Sequence, residues 1–460
     1  MNIEAILDRI PDYQVFLTVA EMDALVRERA RRYPSDVTLM EVGTSRKGHP
    51  ILCTKLGNGE KNALCFACPH PNEPIGAMTL LTLADLFCGD PALLEETGFT
   101  WYLIHCIDPD GTKLNEGWFK GPFDLWHYAE HFYRPPGRQQ VEWTFPIDYK
   151  SLHFNDPIPE TQTLMRLIQE TKPSFVFSLH NASFGGAYWY STERDAEFCL
   201  ALERAAARQA IPLQLGEPES IYGEKYSPGV HSMMSTRALV DYIEDNMGAF
   251  DASTFDCGSC SADYIKTVCD SLVLMAELPY FCNRKSEDTS PVSRTRRELL
   301  LENIRRSEQI GRFIKTQYGK IKSFLSADNP FPGLAAEHAA GFEADLALRK
   351  IRAQNPEFDA NGTVSEELDN LWLSGYYLCL FIGLLRRACI YELEKAPGET
   401  ARNILSEVRQ SSEEELRSRV QALEDAVDYR VIPIRNLVAV QIESAFAATH
   451  FLSQKKGAGA

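Results

Sequence analysis

The sequence contains no dense basic patch. Its 47 lysines and arginines are outnumbered by 64 aspartates and glutamates, for a formal net charge of −17. That balance argues against nucleic acid or an anionic membrane as a main partner. Long apolar runs are also lacking. The longest, Leu371 to Leu385, contains Ser374 and Gly375 and falls short of the ~20 residues of a membrane helix, so it reads as a buried helix. The first ten residues carry Glu4 and Asp8 and hold no apolar stretch of signal-peptide length, which predicts a cytoplasmic protein. No internal repeat is present. Cysteine is not scarce, at twelve, but half lie inside apolar runs (Cys53, Cys65, Cys106, Cys269, Cys379, Cys389) and read as reduced, buried thiols. Two Cys-x-x-Cys pairs, Cys65/Cys68 and Cys257/Cys260, could together supply four thiolates. The first pair lies on an expected strand, where positions i and i+3 face opposite ways, and this argues against a zinc site there.

What is present divides in two. With 460 residues and 44% hydrophobic content, the chain is long enough for two globular domains. Up to about residue 285, apolar runs of strand type alternate with helical patterns. The strands are expected at 37–41, 51–56, 62–67, 101–107, 174–180 and 271–277. The helices are expected at 12–33, 74–87, 160–170 and 195–210. That alternation predicts an α/β fold with a mostly parallel sheet flanked by helices. Residues 286–460 show helical periodicity and no convincing strand, and predict an all-α C-terminal domain. Residues 326–333 form a turn or linker. Thr363/Glu366 and Ser411/Glu414 have capping-box spacing. Pro433 separates two helical runs, and the Lys455 to Ala460 tail is expected to be disordered.

The chemistry centres on His70-Pro71-Asn72-Glu73, which follows the strand at 62–67. A histidine and a glutamate three residues apart on one helical turn point the same way. Imidazole nitrogen and carboxylate oxygen suit Zn²⁺, and a catalytic zinc needs a third protein ligand and an open position. Ten histidines leave the third ligand unforced. His180 is favoured because it ends an apolar strand as His70 follows one, and ligands in α/β sheets gather at the carboxyl ends of strands. Glu277 ends another. A carboxylate at a buried strand end costs several kcal/mol unless it is paired or functional. Near zinc it would take a proton from water and hand it to a leaving amine; the plainer alternative is an ion pair with Arg284.

Taken in order, these residues resemble the zinc carboxypeptidase family of the carboxypeptidase A type, over roughly Glu41 to Phe281. The resemblance runs through residues 43–51, the His70–Glu73 motif, Asp108 to Gly111, Ile147-Asp148, Pro159-Glu160, Ser178 to His180, and Asp263 ahead of Glu277. It implies a mixed, mostly parallel eight-stranded sheet between helices. It implies one Zn²⁺ per chain on His70, Glu73 and His180, with Glu277 as general base and acid. Asp148 matches the aspartate that hydrogen-bonds the first zinc histidine and so fixes its tautomer. An oxyanion arginine is expected after Asp108 to Gly111, and Arg134 and Arg138 are both candidates.

The sequence also departs from the family. The Asn-Arg pair that grips a substrate carboxylate is missing after Asp148; Lys150 or His153 are possible substitutes, although a lysine is a point charge rather than a fork. The usual substrate tyrosine position falls near Phe255, which leaves Tyr222 or Tyr226 to swing in. Ala262 falls where side-chain specificity is usually set. Trp189 and Tyr190 either line a pocket or pack within a strand. The expected activity is hydrolysis of an amide bond, in a peptide, an isopeptide or an amide-bearing small molecule. An aspartoacylase-like deacylase of N-acyl amino acids and a non-catalytic zinc-binding protein are the alternatives. The helical domain would cover the active site or build a homo-oligomer. The basic cluster Arg284, Lys285, Arg294, Arg296 and Arg297 would meet an anionic substrate or form a solvated face.

Overall fold

The computed structural model describes residues 2–252 and 255–455. Nine strands form the main sheet: β1 Val37–Thr44, β2 Pro50–Leu56, β3 Lys61–Ala67, β4 Phe99–Ile104, β5 Phe175–His180, β6 Tyr188–Ser191, β7 Lys225–Ser227, β8 Val230–Ser232 and β9 Leu272–Glu277. Their spatial order is β1-β2-β4-β3-β5-β9-β6-β8-β7. The sheet is mixed, as expected, with nine strands rather than eight. Its centre, β4-β3-β5-β9, is parallel. Antiparallel pairs flank it on both sides. The three central strands β3, β5 and β9 are the continuous apolar runs, and β5 and β9 are buried at every position because layers cover both faces.

The helices that matter to the site are α1 Val19–Arg32, α2 Ile75–Gly89, α3 Pro159–Thr171, α4 Ala196–Arg208, α5 Ser261–Val268, α6 Arg296–Ile321, α7 Gly333–Arg352, α8 Ser374–Glu394, α9 Glu399–Ala426 and α10 Ile434–Lys455. α1 starts seven residues later than expected, because Thr18 and Glu21 close a capping box that sets its first turn. α2 runs almost wholly buried against the sheet. Gly76 permits that approach, since a Cβ there would lie 2.6 Å from the Leu179 Cβ.

Residues 286 onward are helical, with short strands at 291–295, 361–363 and 430–431. Thr363 and Glu366 do form a capping box. Ser411 does not open a helix; it lies inside α9 and donates to the Val408 carbonyl. Contacts cross the expected boundary at residue 285. Strand 430–431 pairs with 281–282. α10 returns to pack on α2 and α4. There Thr79 donates to Gln441 Oε1 (2.7 Å), and Gln441 Nε2 donates to the His180 carbonyl (3.2 Å). Among the described residues one helical run, Val364–Glu394, is long and apolar enough to cross a membrane, and 56% of its most apolar window is buried inside the structure. It packs on α6, α9 and the short helix Leu125–His131. The expected disordered tail lies, beyond Lys455, outside the described residues.

Candidate active site

β3 ends at Ala67, and the chain turns through Cys68 in the left-handed region (φ 54°). His70 and Glu73 then sit on a tight turn closed by the Glu73 N–H to the His70 carbonyl, 3.1 Å. They are not on a helix as expected. Pro74 disfavours helical geometry at Glu73, so α2 begins only at Ile75. The turn nevertheless aims both side chains one way. His180, the last residue of β5, comes to the same point from the neighbouring strand. In-register pairing places Glu277, the last residue of β9, directly beside it.

The resulting geometry is compact. His70 Nδ1 lies 3.0 Å from Glu73 Oε1, and His180 Nδ1 lies 2.9 Å from Glu73 Oε2 and 3.2 Å from His70 Nδ1. The three donor atoms fall within 4.8 Å of one another, and all three residues are buried. Glu277 Oε1 is 3.7 Å from His180 Nδ1. Two imidazole nitrogens and a carboxylate at one buried point fit a zinc ion in their chemistry and number, with a coordination position left open.

The electrostatics follow from burial and these contacts. Burial and the charge of Arg134 bring His70 down to about 4, against the pull of Glu73. Burial alone would raise Glu73, but the charges of His70 and His180 outweigh it and hold the carboxylate below its ordinary range. His180 would be lowered by burial, yet Glu73 and Glu142 carry it up to about 10. Burial pushes Glu277 well above the usual carboxylate range; Glu73 and Glu219 add to this, while His180 and Arg134 oppose it. The Glu277 carboxyl thus faces the point where His70, Glu73 and His180 converge.

These residues form the floor of a cavity of about 730 Å³. Arg134 lies in its wall. The Arg134 Nη2 is 3.8 Å from Glu73 Oε1, Nε donates to Gln140 (3.1 Å), and Nη1 donates to the Tyr377 hydroxyl (3.4 Å). Arg138 does not line the cavity: it is half exposed and pairs with Asp156 and Asp256. Strand alternation on β6 turns Tyr188 and Tyr190 into the cavity, where both hydroxyls donate to Glu219 (3.0 and 3.3 Å). Trp189 faces the other way and donates to Ser444 on α10.

Several expected roles fall elsewhere. Asp148 is exposed and pairs with His153 at 2.6 Å, far from any contact with His70. The expected tautomer-fixing partner is therefore not there, and His70 Nε2 is buried with no hydrogen-bond partner among the described residues. The buried carboxylate near the site is Glu142, which serves His180 instead. It accepts from Ser178 Oγ and from the Ser261 N–H and hydroxyl (2.8, 2.8 and 2.9 Å), and its Oε1 is 3.8 Å from His180 Nε2. Lys150 is exposed and held by Asp241 and Glu244, so neither it nor His153 reaches the cavity. Tyr222 accepts from the Ser235 N–H, Phe255 packs on Phe250, and neither lines the cavity, nor does Tyr226 or Ala262. In the basic cluster, Arg294, Arg296 and Arg297 pair with Glu367, Glu366 and Asp359.

The helical region forms the roof. Ser307 of α6, Asp345 and Arg349 of α7, and Ser374 and Tyr377 of α8 all line the cavity. Asp369 grips the facing loop, accepting from Gln214 Nε2 and the Glu217 N–H at 2.7 Å each. Gly216 makes that grip possible, because a Cβ there would overlap Asp369 Oδ2.

In sequence comparison, residues 22–210 match the zinc carboxypeptidase family model. That span holds His70, Glu73, Arg134, Glu142 and His180, while Glu277 lies beyond it. No curated protein matches the chain. Among solved structures, carboxypeptidase A from Helicoverpa armigera aligns with 58% of this chain and 66% of its own, at 15% identity and a TM-score of 0.38. This chain thus spans just under two thirds of that protein. Bovine thrombin-activatable fibrinolysis inhibitor, solved with tick carboxypeptidase inhibitor, aligns with 57% of this chain and 86% of its own, at 14% identity and a TM-score of 0.37. A metallo-carboxypeptidase from Burkholderia cenocepacia aligns with 57% and 60%, at 16% identity and a TM-score of 0.32. Residues 22–210 of this chain are thus similar to the zinc carboxypeptidase family.

Proposed function

We propose that the protein hydrolyses an amide bond in a short substrate held inside the covered cavity. The observation that carries this reading is the convergence of His70, Glu73 and His180 within 4.8 Å, with Glu277 beside them on the next strand. Zinc bound by those three residues would polarise a carbonyl and lower the pKa of water. Glu277 is placed to accept a proton from the attacking water and to deliver it to the leaving nitrogen. Its raised proton affinity suits both halves of that transfer. Arg134, anchored by Gln140 and Tyr377, presents a fixed cation to a developing oxyanion or a substrate carboxylate. The roof restricts water and substrate size.

Two features support an amide other than an ordinary peptide C-terminus. The Asn-Arg clamp is missing, and neither Lys150 nor His153 replaces it. The roof from α6, α7 and α8 leaves room for a small molecule, which favours N-acyl amino acids as a second substrate class. Twelve free cysteines, mostly buried, support a reducing compartment. The test is hydrolysis by zinc-loaded protein of free and amidated peptides, γ-glutamyl peptides and N-acyl amino acids, with Glu277→Gln as control. Cleavage restricted to peptides with a free C-terminus assigns Arg134 the clamp role. No cleavage of any class would remove the catalytic reading in favour of zinc binding alone.

A further inference from the structure

A second group of metal-type donors lies outside the cavity floor, on the short helix Leu125–His131. His127, Glu130 and His131 stand at positions i, i+3 and i+4, so one helical face carries all three. Each offers a donor atom within 4.8 Å of the other two. The imidazole rings lie 4.6 Å apart between centroids. His131 Nε2 is 4.0 Å from Glu130 Oε2. His127 Nε2 is buried and has no hydrogen-bond partner among the described residues. A buried imidazole nitrogen without a partner is uncommon, since leaving it unmet costs free energy.

We propose that His127, Glu130 and His131 form a second metal site, for a transition-metal dication of the Zn²⁺ class. Two imidazoles and one carboxylate select zinc and its neighbours over magnesium or calcium, which take mainly oxygen donors. Histidines at i and i+4 of a helix are an established zinc-binding spacing. The surroundings hold the donors in place. Arg386 Nη2 donates to Glu130 Oε1 (2.9 Å), leaving Oε2 to face the histidines. Arg386 also pairs with Glu413, which offsets its charge. Arg387 is turned away to the main-chain carbonyls of Leu114, His131 and Phe132. Two nearby guanidinium groups make this the weaker of the two sites.

An ion here would stiffen the segment that builds one cavity wall. Tyr128, on the same helix, accepts from Asn72 between His70 and Glu73, and the chain continues through Phe132 to Arg134, both in the cavity lining. The site would thus fix the catalytic arginine from behind without touching substrate.

The experiment is zinc stoichiometry by mass spectrometry after equilibration with Zn²⁺ and gel filtration. Wild type takes two equivalents. The His70→Ala/His180→Ala double variant takes one, held at the second site. His131→Gln and Glu130→Gln in the wild-type background also take one, while adding His131→Gln to the double variant takes none. Circular dichroism melts establish that each variant is folded. One equivalent in wild type with none in the double variant would overturn the proposal. So would a remaining equivalent in the combined variant, which would put the second ion elsewhere.

Discussion

Replacing Glu277 with glutamine separates catalysis from metal binding and folding. The side chain keeps its size and its place at the end of β9 but loses the ability to take a proton. General base and acid catalysis contributes roughly 10²–10⁴-fold, so kcat should fall by that amount, about 3–5 kcal/mol at the transition state. Zinc content should stay at the wild-type level, because Glu277 is not among the three converging donors. Stability should move the other way. Glu277 has a folded-state proton affinity raised by burial. The native state then holds a proton that the unfolded chain has released, so stability falls as pH rises from about 4.5 through the native value. Glutamine never ionises and removes that loss, so the metal-free variant should unfold at a higher denaturant concentration than wild type at pH 7. The assay is steady-state hydrolysis of the best substrate in the panel, with zinc analysis and a urea titration on the same preparations. A variant within tenfold of wild-type kcat would refute Glu277 as the proton carrier. A variant that loses zinc would refute the donor set.

Other consequences are equally open to measurement. His180 is held protonated up to about 10 without metal, so zinc must displace a proton, and its apparent affinity should rise by about tenfold per pH unit between 7 and 9; a chelator competition series with a flat pH profile would contradict this. The same shift, above the unfolded histidine value, gives the metal-free protein stability that is full below about 6.5 and is lost as pH rises toward 10. Glu142→Gln should weaken zinc roughly 10–100-fold, as loss of a partner behind a ligand does, with little change in helix content by circular dichroism. Gly216→Ala should push the loop off Asp369 and cut kcat/KM by roughly 10–100-fold through misplacement, whereas an unchanged kcat/KM would show that the loop does not shape the cavity. Gln441→Leu leaves the Thr79 hydroxyl and the His180 carbonyl unmet and should cost about 1–3 kcal/mol in a denaturant titration.

The cluster of His70, Glu73 and His180 was legible because each member is marked locally. His70 and Glu73 follow an apolar strand at close spacing, and His180 and Glu277 each end one. Strand ends in a parallel sheet meet at one edge whatever the loops do. Glu142 carried a weaker signal, a charge between Val141 and Trp143 in an irregular stretch. The resemblance points to Asp148 instead, but the short hairpin 147–154 turns Asp148 out to water. Arg134 and Arg138 could not be separated, because four residues of a loop carry no periodicity to say which side faces in. Ser411/Glu414 misled for a related reason: the same spacing also serves within a helix, and α9 runs straight through it. Tyr188 and Tyr190 could have been found from the alternation of β6, with Trp189 on the opposite face.

What no local pattern could reveal is how closely the C-terminal half packs on the elements around the cavity. α10 supplies Gln441 to the carbonyl of His180. Tyr376 of α8 donates to the Leu125 carbonyl at the start of the short helix. Arg387 ties down the turn that leads to Arg134. Asp369 holds the loop at 214–217 that lines the cavity. Each is a buried or half-buried polar contact, and each leaves a group in the other half without a partner if it is removed. Such contacts are costly to break on one side only. The positions of His180, of the turn before Arg134 and of the loop at 214–217 therefore depend on contacts made by the helical half.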